Sequence, residues 1–219
     1  MNTREQRKYC DICAQHHNKG MKQRFRRRYR TAKYIFYKET LIDLREHFWT
    51  FLGSFVGIAL ISLLHSEYLS VHDNLFIIGS FGASSVLIYG VINSPLAQPR
   101  NLIGGHVICA LVGVTVFKLI PNELWLSSAL SVSLSIVAMQ ITKTLHPPGG
   151  ATALIANIGS EKIHALGYMY VFSPVLTGVL ILLLVAIVFN NATPHRKYPH
   201  NKHWYKLWKR NYGSKALRK

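Results

Sequence analysis

Apolar residues run through the middle of the chain in long stretches, interrupted by Gly, Pro, Asn and isolated charges rather than by a regular polar stripe. A helix that packs one face on a core and turns the other to water shows polar residues every third or fourth position. Stretches without that stripe suit helices surrounded by lipid or by other apolar helices. A bilayer core takes about 20 apolar residues per helix, and the pattern predicts spans over 48–65, 75–92, 102–120, 124–145 and 168–190. The second is interrupted by Gly79, Ser80, Gly82, Ser84 and Ser85, so it is expected to be broken or buried inside a bundle. A sixth segment, 147–159, is apolar but too short to cross alone and is followed by Glu161 and Lys162. It reads as a half-helix in a re-entrant loop, or as a span completed by less regular backbone. The fold class is therefore all-α and polytopic, with four to six transmembrane helices and two glycine-rich broken or re-entrant segments.

Charge divides the chain into three parts. Of its 219 residues, 26 are Lys or Arg and nine are Asp or Glu. Residues 1–46 hold 13 of the basic residues against five acids, and residues 192–219 hold nine against none. The domain between, 47–191, holds four of each, so the excess positive charge lies wholly in two tails. A mean hydropathy of +0.15 averages two polar tails with a very apolar middle. A soluble enzyme is excluded on this pattern, and nucleic acid is not an expected partner. The basic run 22–38, with Phe25, Tyr29, Tyr34, Phe36 and Tyr37 interleaved, fits an interfacial helix on anionic lipid headgroups leading into the first span. Trp204, Tyr205, Trp208 and Tyr212 among lysines repeat the theme.

Two basic tails place both termini on the cytoplasmic side and require an even number of crossings. Six crossings put Arg100 and Lys143 in cytoplasmic turns and Glu67, Asp73, Glu123 and Glu161 in outer ones, with Lys162 the exception. No short apolar stretch lies near residue 10, and no Ser precedes position 54, so neither a secretory nor an organellar leader is expected. The bacterial cytoplasmic membrane is the expected location. Cys10, Cys13, His16 and His17 have the residue types of a zinc site but crowd into eight positions without a second half-site. They read as reduced thiols in a tail, and no metal or cofactor is expected.

At an offset of 68 residues, Gly82-Ala83-Ser84-Ser85-Val86-Leu87 falls on Gly150-Ala151-Thr152-Ala153-Leu154-Ile155. The same offset lays 102–120 over 170–188, and each half reads as a full span, a glycine-rich segment and a full span. Two three-crossing units in sequence are inverted relative to each other, a design frequent among secondary transporters. Small residues that permit close helix packing are the alternative source of the match.

The run Lys143-Thr144-Leu145-His146-Pro147-Pro148-Gly149-Gly150-Ala151-Thr152 carries the most chemistry. Prolines fit a helix start because they lack an N–H that would go unpaired there. Glycines behind them leave amides approachable, and a helix N-terminus carries about half a positive charge, which suits a small anion. Thr152 adds a hydroxyl, and His146 can donate to the anion or carry a proton. The alternative is a Pro-Pro kink for packing, with His146 bonded to a backbone carbonyl. Gln98, Arg100 and Asn101 are candidates to line an entry, Arg100 being also a plain interface anchor. His106, about one turn inside its span, is an ionisable group within the membrane and hence a candidate. No nucleophile elbow, zinc-protease motif, P-loop or carboxylate pair is present, so the chain is not expected to be an enzyme.

The ordered set Phe81-Gly82-Ala83-Ser84-Ser85, Ser94-Pro95-Leu96-Ala97-Gln98-Pro99-Arg100-Asn101, Gly105-His106 and His146-Pro147-Pro148-Gly149-Gly150-Ala151-Thr152-Ala153-Leu154, with Asn190-Asn191 closing the last span, resembles the HPP family of integral membrane proteins. The resemblance covers about residues 47–191. It implies a bundle usually described as four membrane helices. Cyanobacterial and plastid relatives are associated with nitrite transport, so it also implies a small-anion transporter, with nitrite the first candidate. The expected site joins Gly82, Ala83, Ser84 and Ser85 to Gly149, Gly150, Ala151 and Thr152 near the midplane, with two helix N-termini facing the anion and His146 and His106 beside it. A membrane enzyme with histidine metal ligands, and a non-transporting scaffold acting through its basic tails, are the rival readings. A homo-oligomer is compatible with all three.

Overall fold

The computed structural model describes residues 44–66, 69 and 71–200, the side chains of His72, Leu75 and Phe76 excepted. Cys10, Cys13, His16, His17, the basic run 22–38 and the tryptophans of the C-terminal tail lie outside the described residues. The elements are α1 (Leu44–Ser66), α2 (Val71–Ser85) prolonged by a π-helical turn (Val86–Gly90), a 3₁₀ turn (Pro95–Ala97), α3 (Pro99–Leu119), α4 (Leu124–Thr142), α5 (Pro148–Ile158), α6 (Glu161–Leu166), a second π-helical turn (Val171–Leu176) and α7 (Thr177–Phe189). No strand occurs among the described residues. The protein is all-α and polytopic.

Among the described residues, four helices are long and apolar enough to cross a membrane: α1, α3, α4 and the continuous Val171–Phe189 segment ending in α7. In α2 with its π turn, the apolar part is confined to Ile77–Gly90. Helix α5 has 11 residues and, at a rise of about 1.5 Å per residue, reaches only about half way across a hydrocarbon core. It is the half-helix expected from its length. The other glycine-rich segment differs from expectation. Gly82, Ala83, Ser84 and Ser85 form the last turn of α2 rather than a helix start, because glycine weakens a helix without removing any of its hydrogen bonds.

Proline and left-handed backbone set the boundaries that matter. Pro99 opens α3 and Pro148 opens α5, each at a position where a missing N–H costs nothing. Lys143 closes α4 with φ 57°, and its amide bonds back to Gln140 O. That turn directs 144–147 back into the bundle.

Helix α3 is the centre of the packing, against α4 on one side and α5 on another. Its contact with α5 runs along small residues: Gly105, Cys109 and Gly113 against Gly149, Ala153 and Ala156. A Cβ on Gly105 would stand 2.5 Å from His146 Cβ, and one on Gly113 would stand 2.5 Å from Ala153 O. Lipid offers helices no hydrophobic drive to associate, so close backbone approach at such seams supplies the dispersion contacts. Phe81 of α2 seats against Gly178 of α7, and the Tyr89 ring lies against Gly53 and Gly57 of α1. The outward faces carry exposed Phe51, Phe55, Leu63, Trp125, Ile141 and Leu184, a surface matched to hydrocarbon rather than water.

Beyond α7 the chain stays on the bundle. Arg196 is 6% exposed; it donates to Glu46 O, Thr50 Oγ1, Tyr89 O and Asn190 Oδ1 at 3.0, 2.8, 2.5 and 2.9 Å. Its Nε lies 3.5 Å from a Glu46 carboxylate oxygen. Burial lowers the guanidinium from its ordinary value, with Glu46 opposing. Asn190 Nδ2 caps Ile88 O at 2.7 Å, and Tyr198 OH donates to Ala97 O at 2.7 Å. Residues 192–200 thus belong structurally with the membrane bundle. Arg196 and Tyr198 supply donors to a carbonyl of the π turn, Tyr89 O, which Thr50 Oγ1 also reaches, and to Ala97 O of the Pro95–Ala97 loop.

Candidate functional site

Five polar side chains meet where α2, α3 and the start of α5 converge. Ser80 and Ser84 lie one helical turn apart on α2, the spacing that puts both on one face. His106 projects from α3, His146 from the segment before α5, and Thr152 from the first turns of α5. Ser84, His106 and His146 are 0% exposed, Ser80 and Thr152 3%.

The five bond to one another. Ser84 Oγ lies 2.8 Å from His106 Nε2 and 3.0 Å from His146 Nε2. The second nitrogen of His106, Nδ1, lies 2.7 Å from Thr152 Oγ1, which in turn is 2.9 Å from Ser80 Oγ. Ser80 donates to Pro148 O at 2.9 Å, and His146 Nδ1 lies 2.8 Å from Leu96 O. The imidazole centroids are 5.0 Å apart, and the Phe81 ring sits 5.3 Å from that of His106. Tyr170 OH donates to Thr152 O at 3.0 Å, and the His146 amide faces Met139 Sδ at 3.5 Å. Every hydrogen-bonding partner of the two rings is a neutral hydroxyl or carbonyl.

The half-helix start differs from the open amide cradle expected of it. Gly149 N and Gly150 N bond to His146 O and Pro147 O at 2.9 and 3.0 Å, closing the first turn on itself. Gly149 is required for packing: a Cβ there would stand 2.9 Å from both Gly105 O and Cys109 Sγ. Gly150 has room, with nothing nearer than Val132 Cγ1 at 4.0 Å. Ala151 and Ala83 are exposed on the outer faces of their helices. The polar contacts therefore come from side chains, and only one helix N-terminus, that of α5, adjoins the cluster.

Gln98, Arg100 and Asn101 are engaged in hydrogen bonds that hold turns together. Gln98 Nε2 donates to Ile92 O and Ser94 O, and its Oε1 accepts from His200 N. Arg100 donates to Thr142 O, near the C-terminus of α4, at 3.0 Å; Asn101 donates to Leu145 O at 2.8 Å. A helix C-terminus attracts a cation and leaves its last carbonyls unpaired, which accounts for the Arg.

Gly82 and Ser85 face away from the cluster, onto an open groove of about 680 Å³ between α1 and α2 lined also by Ser54, Ile58 and Tyr89. The Ser85 hydroxyl is buried without a partner. Helix α2 thus separates groove from cluster by its own thickness. The sequence reading missed Ser80. Its i, i+4 relation to Ser84 was the available signal. Leu96 O and Pro148 O could not be read from residue types at all. Among the described residues no three His, Cys, Asp or Glu side chains gather as metal ligands; the two imidazoles have hydroxyls beside them instead.

Comparison with known proteins identifies the bundle. Two transmembrane proteins of Dictyostelium discoideum are 47% and 49% identical to the chain over 160 residues, 72% of its length. The chain spans about half the length of these curated relatives, 51% and 56%. No solved structure matches. The family described as HPP, transmembrane region, matches residues 39–199, a stretch that takes in every element above. The match takes in the whole cluster from Ser80 to Thr152, and the chain belongs to the HPP family of multi-pass membrane proteins.

Proposed function

We propose that the protein carries a small anion across its membrane, nitrite being the first candidate, and that it is not an enzyme. One observation carries this reading: five buried side chains, all neutral hydroxyls and imidazoles, converge beside the N-terminus of a half-length helix in the interior of a membrane bundle. Polar groups are costly in hydrocarbon, and where they occur inside a membrane domain they mark pathways for polar cargo. Hydroxyls, an imidazole and the α5 dipole offer field stabilisation of about 0.3–2 kcal/mol plus several hydrogen bonds, a combination suited to transient binding.

In the present conformation the donors satisfy one another, so the cluster is occluded. An anion would enter by replacing the contacts that Ser84 makes to the two rings. The basic tails are read as contacts for anionic headgroups, holding the bundle in its membrane rather than selecting cargo. A transporter of this kind resides in a cytoplasmic membrane with both termini inside.

The test is uptake of nitrite into proteoliposomes containing the purified full chain, with chloride, nitrate and formate as competitors. Saturable flux competed by only some of these anions is the expected result. Flux no greater than in empty liposomes, from protein shown to be folded, overturns the reading.

A further inference from the structure

The cluster forms one continuous string between two backbone carbonyls. In order it runs Leu96 O, His146, Ser84, His106, Thr152, Ser80 and Pro148 O, through six contacts of 2.8, 3.0, 2.8, 2.7, 2.9 and 2.9 Å. Each contact needs one proton between its two atoms. Both ends only accept. With both imidazoles neutral, each of the five side chains supplies one proton, so five protons serve six contacts. One contact must then bring two lone pairs together, a buried mismatch that destabilises the neutral cluster. The Ser84 hydroxyl also faces Ser80 O at 3.2 Å, which adds an acceptor and deepens the shortage. One additional proton fills all six contacts. A second would turn the Ser84 hydroxyl onto Ser80 O and leave two cationic imidazoles, 5.0 Å apart and fully buried, which like-charge repulsion opposes.

We propose that Ser80, Ser84, His106, His146 and Thr152 form a binding site for a single proton, shared by the two imidazoles through the Ser84 hydroxyl. With the charge on His146, Nδ1–H donates to Leu96 O and Nε2–H to Ser84. Ser84 donates to His106 Nε2, His106 Nδ1–H to Thr152, Thr152 to Ser80, and Ser80 to Pro148 O. Passing the His146 Nε2 proton to Ser84 Oγ while the Ser84 proton passes to His106 Nε2 moves the charge to His106. All six contacts stay filled, and no heavy atom needs to leave its place.

Phe81 on α2 and Met139 on α4 face the pair, Tyr170 before α7 donates to the Thr152 carbonyl, and Cys109 on α3 lies against Gly149. His65 of α1 lies behind Phe81, 6.5 Å from its ring. Asp73 stands at the start of α2, where its carboxylate accepts from Ser160 N and Oγ. A cation on the pair is therefore held by hydrogen bonds, and an anion in the adjoining site would neutralise it. Use of the proton as the co-transported ion rests on the transport reading; existence of the proton site does not.

The experiment is ¹⁵N NMR of the full chain, labelled at histidine and held in lipid nanodiscs, across the pH range in which it stays folded. The two rings are assigned by loss of their signals in His106→Gln and His146→Gln. Both rings should shift together at one midpoint, with a total uptake of one proton. Thr152→Val leaves three contacts from Leu96 to His106 with three protons to fill them. That variant should fix His106 with its proton on Nε2 and lower the midpoint by about one pH unit or more, since Nδ1–H would face a methyl group. Thr152→Ser, which keeps the hydroxyl, should titrate as the parent does. Separate full protonation of each ring, no uptake while the fold persists, or a Thr152→Val midpoint equal to the parent's overturns the site. Anion flux indifferent to a proton gradient, with the site intact, overturns the coupling alone.

Discussion

Ser84 and Thr152 hold opposite nitrogens of one imidazole, that of His106, at 2.8 and 2.7 Å. They are 68 residues apart and occupy equivalent positions in the two glycine-rich segments. Ser80 and Pro148, also equivalent at that offset, are bonded directly. Residues that touch their own counterparts are what a pseudo-two-fold relation between two repeats places near its axis. The element order agrees, with a long helix, a glycine-rich helix and a long helix occurring twice. The chemistry at the axis is nonetheless asymmetric, because one half contributes His106 and the other His146.

Removing the bridging hydroxyl should separate the rings without emptying the space between them. Ser84→Ala is expected to lower anion uptake at least about tenfold, by removing the one atom bonded to both imidazoles. Ser84→Thr is expected to retain most of it. Initial rates in proteoliposomes, with folding checked by thermal melting, provide the measurement. Full uptake kinetics in His146→Ala would exclude a role for that histidine.

Room at Gly150 makes a clean test of the half-helix start. Gly150→Ala meets nothing closer than 4.0 Å, so the melting temperature should hold or rise, helix propensity favouring Ala by up to about 1 kcal/mol. A bulkier Gly150→Val should reduce uptake while the protein remains folded. Undiminished uptake in that variant would remove the α5 start from the anion's path.

The α3–α5 seam should tolerate no added methyl. Gly113→Ala and Gly105→Ala each drive a Cβ to 2.5 Å from a neighbouring atom, Ala153 O and His146 Cβ respectively. A loss of roughly 1–3 kcal/mol is expected for each. Gly79→Ala and Gly82→Ala, where nothing lies within 4 Å, should cost little. Midpoints of thermal unfolding in one detergent would show the contrast.

Arg196→Ala should destabilise the bundle by roughly 2–3 kcal/mol, since it removes one of the two donors to Tyr89 O and leaves Asn190 Oδ1 buried without its partner. Tyr198→Phe, which loses a single bond to Ala97 O, should cost about 1 kcal/mol. A truncation after Asn191 that melts as the full chain does would show that 192–200 contribute nothing.

The long helices were legible because lipid-facing sequence has a simple demand, apolar residues in runs of sufficient length. His106, His146, Thr152 and Ser84 were legible as polar residues placed where hydrocarbon penalises them. The closed first turn of α5 is not legible because a proline-glycine start can bond its own amides, which residue types alone do not disclose. The bonds of Gln98, Arg100 and Asn101 are not legible for a related reason. Their partners are carbonyls of Ile92, Ser94, Thr142 and Leu145, and every residue owns a carbonyl. Ser80 was passed over as one small residue among several, although its spacing from Ser84 was in plain view. Arg196 looked like one more basic residue of a tail.

The seam between α3 and α5 also decides which part of the bundle is free to move. Gly105, Gly113 and Gly149 lock those two helices backbone to backbone, so they behave as one rigid block carrying His106, His146 and Thr152. Helix α2 has an open groove along its other side, with vacant space over Gly79, Gly82 and Gly90. Ser80 and Ser84 share one face of α2, so a displacement of that helix toward the groove withdraws both hydroxyls together. A single hinged element would then open the site in one step.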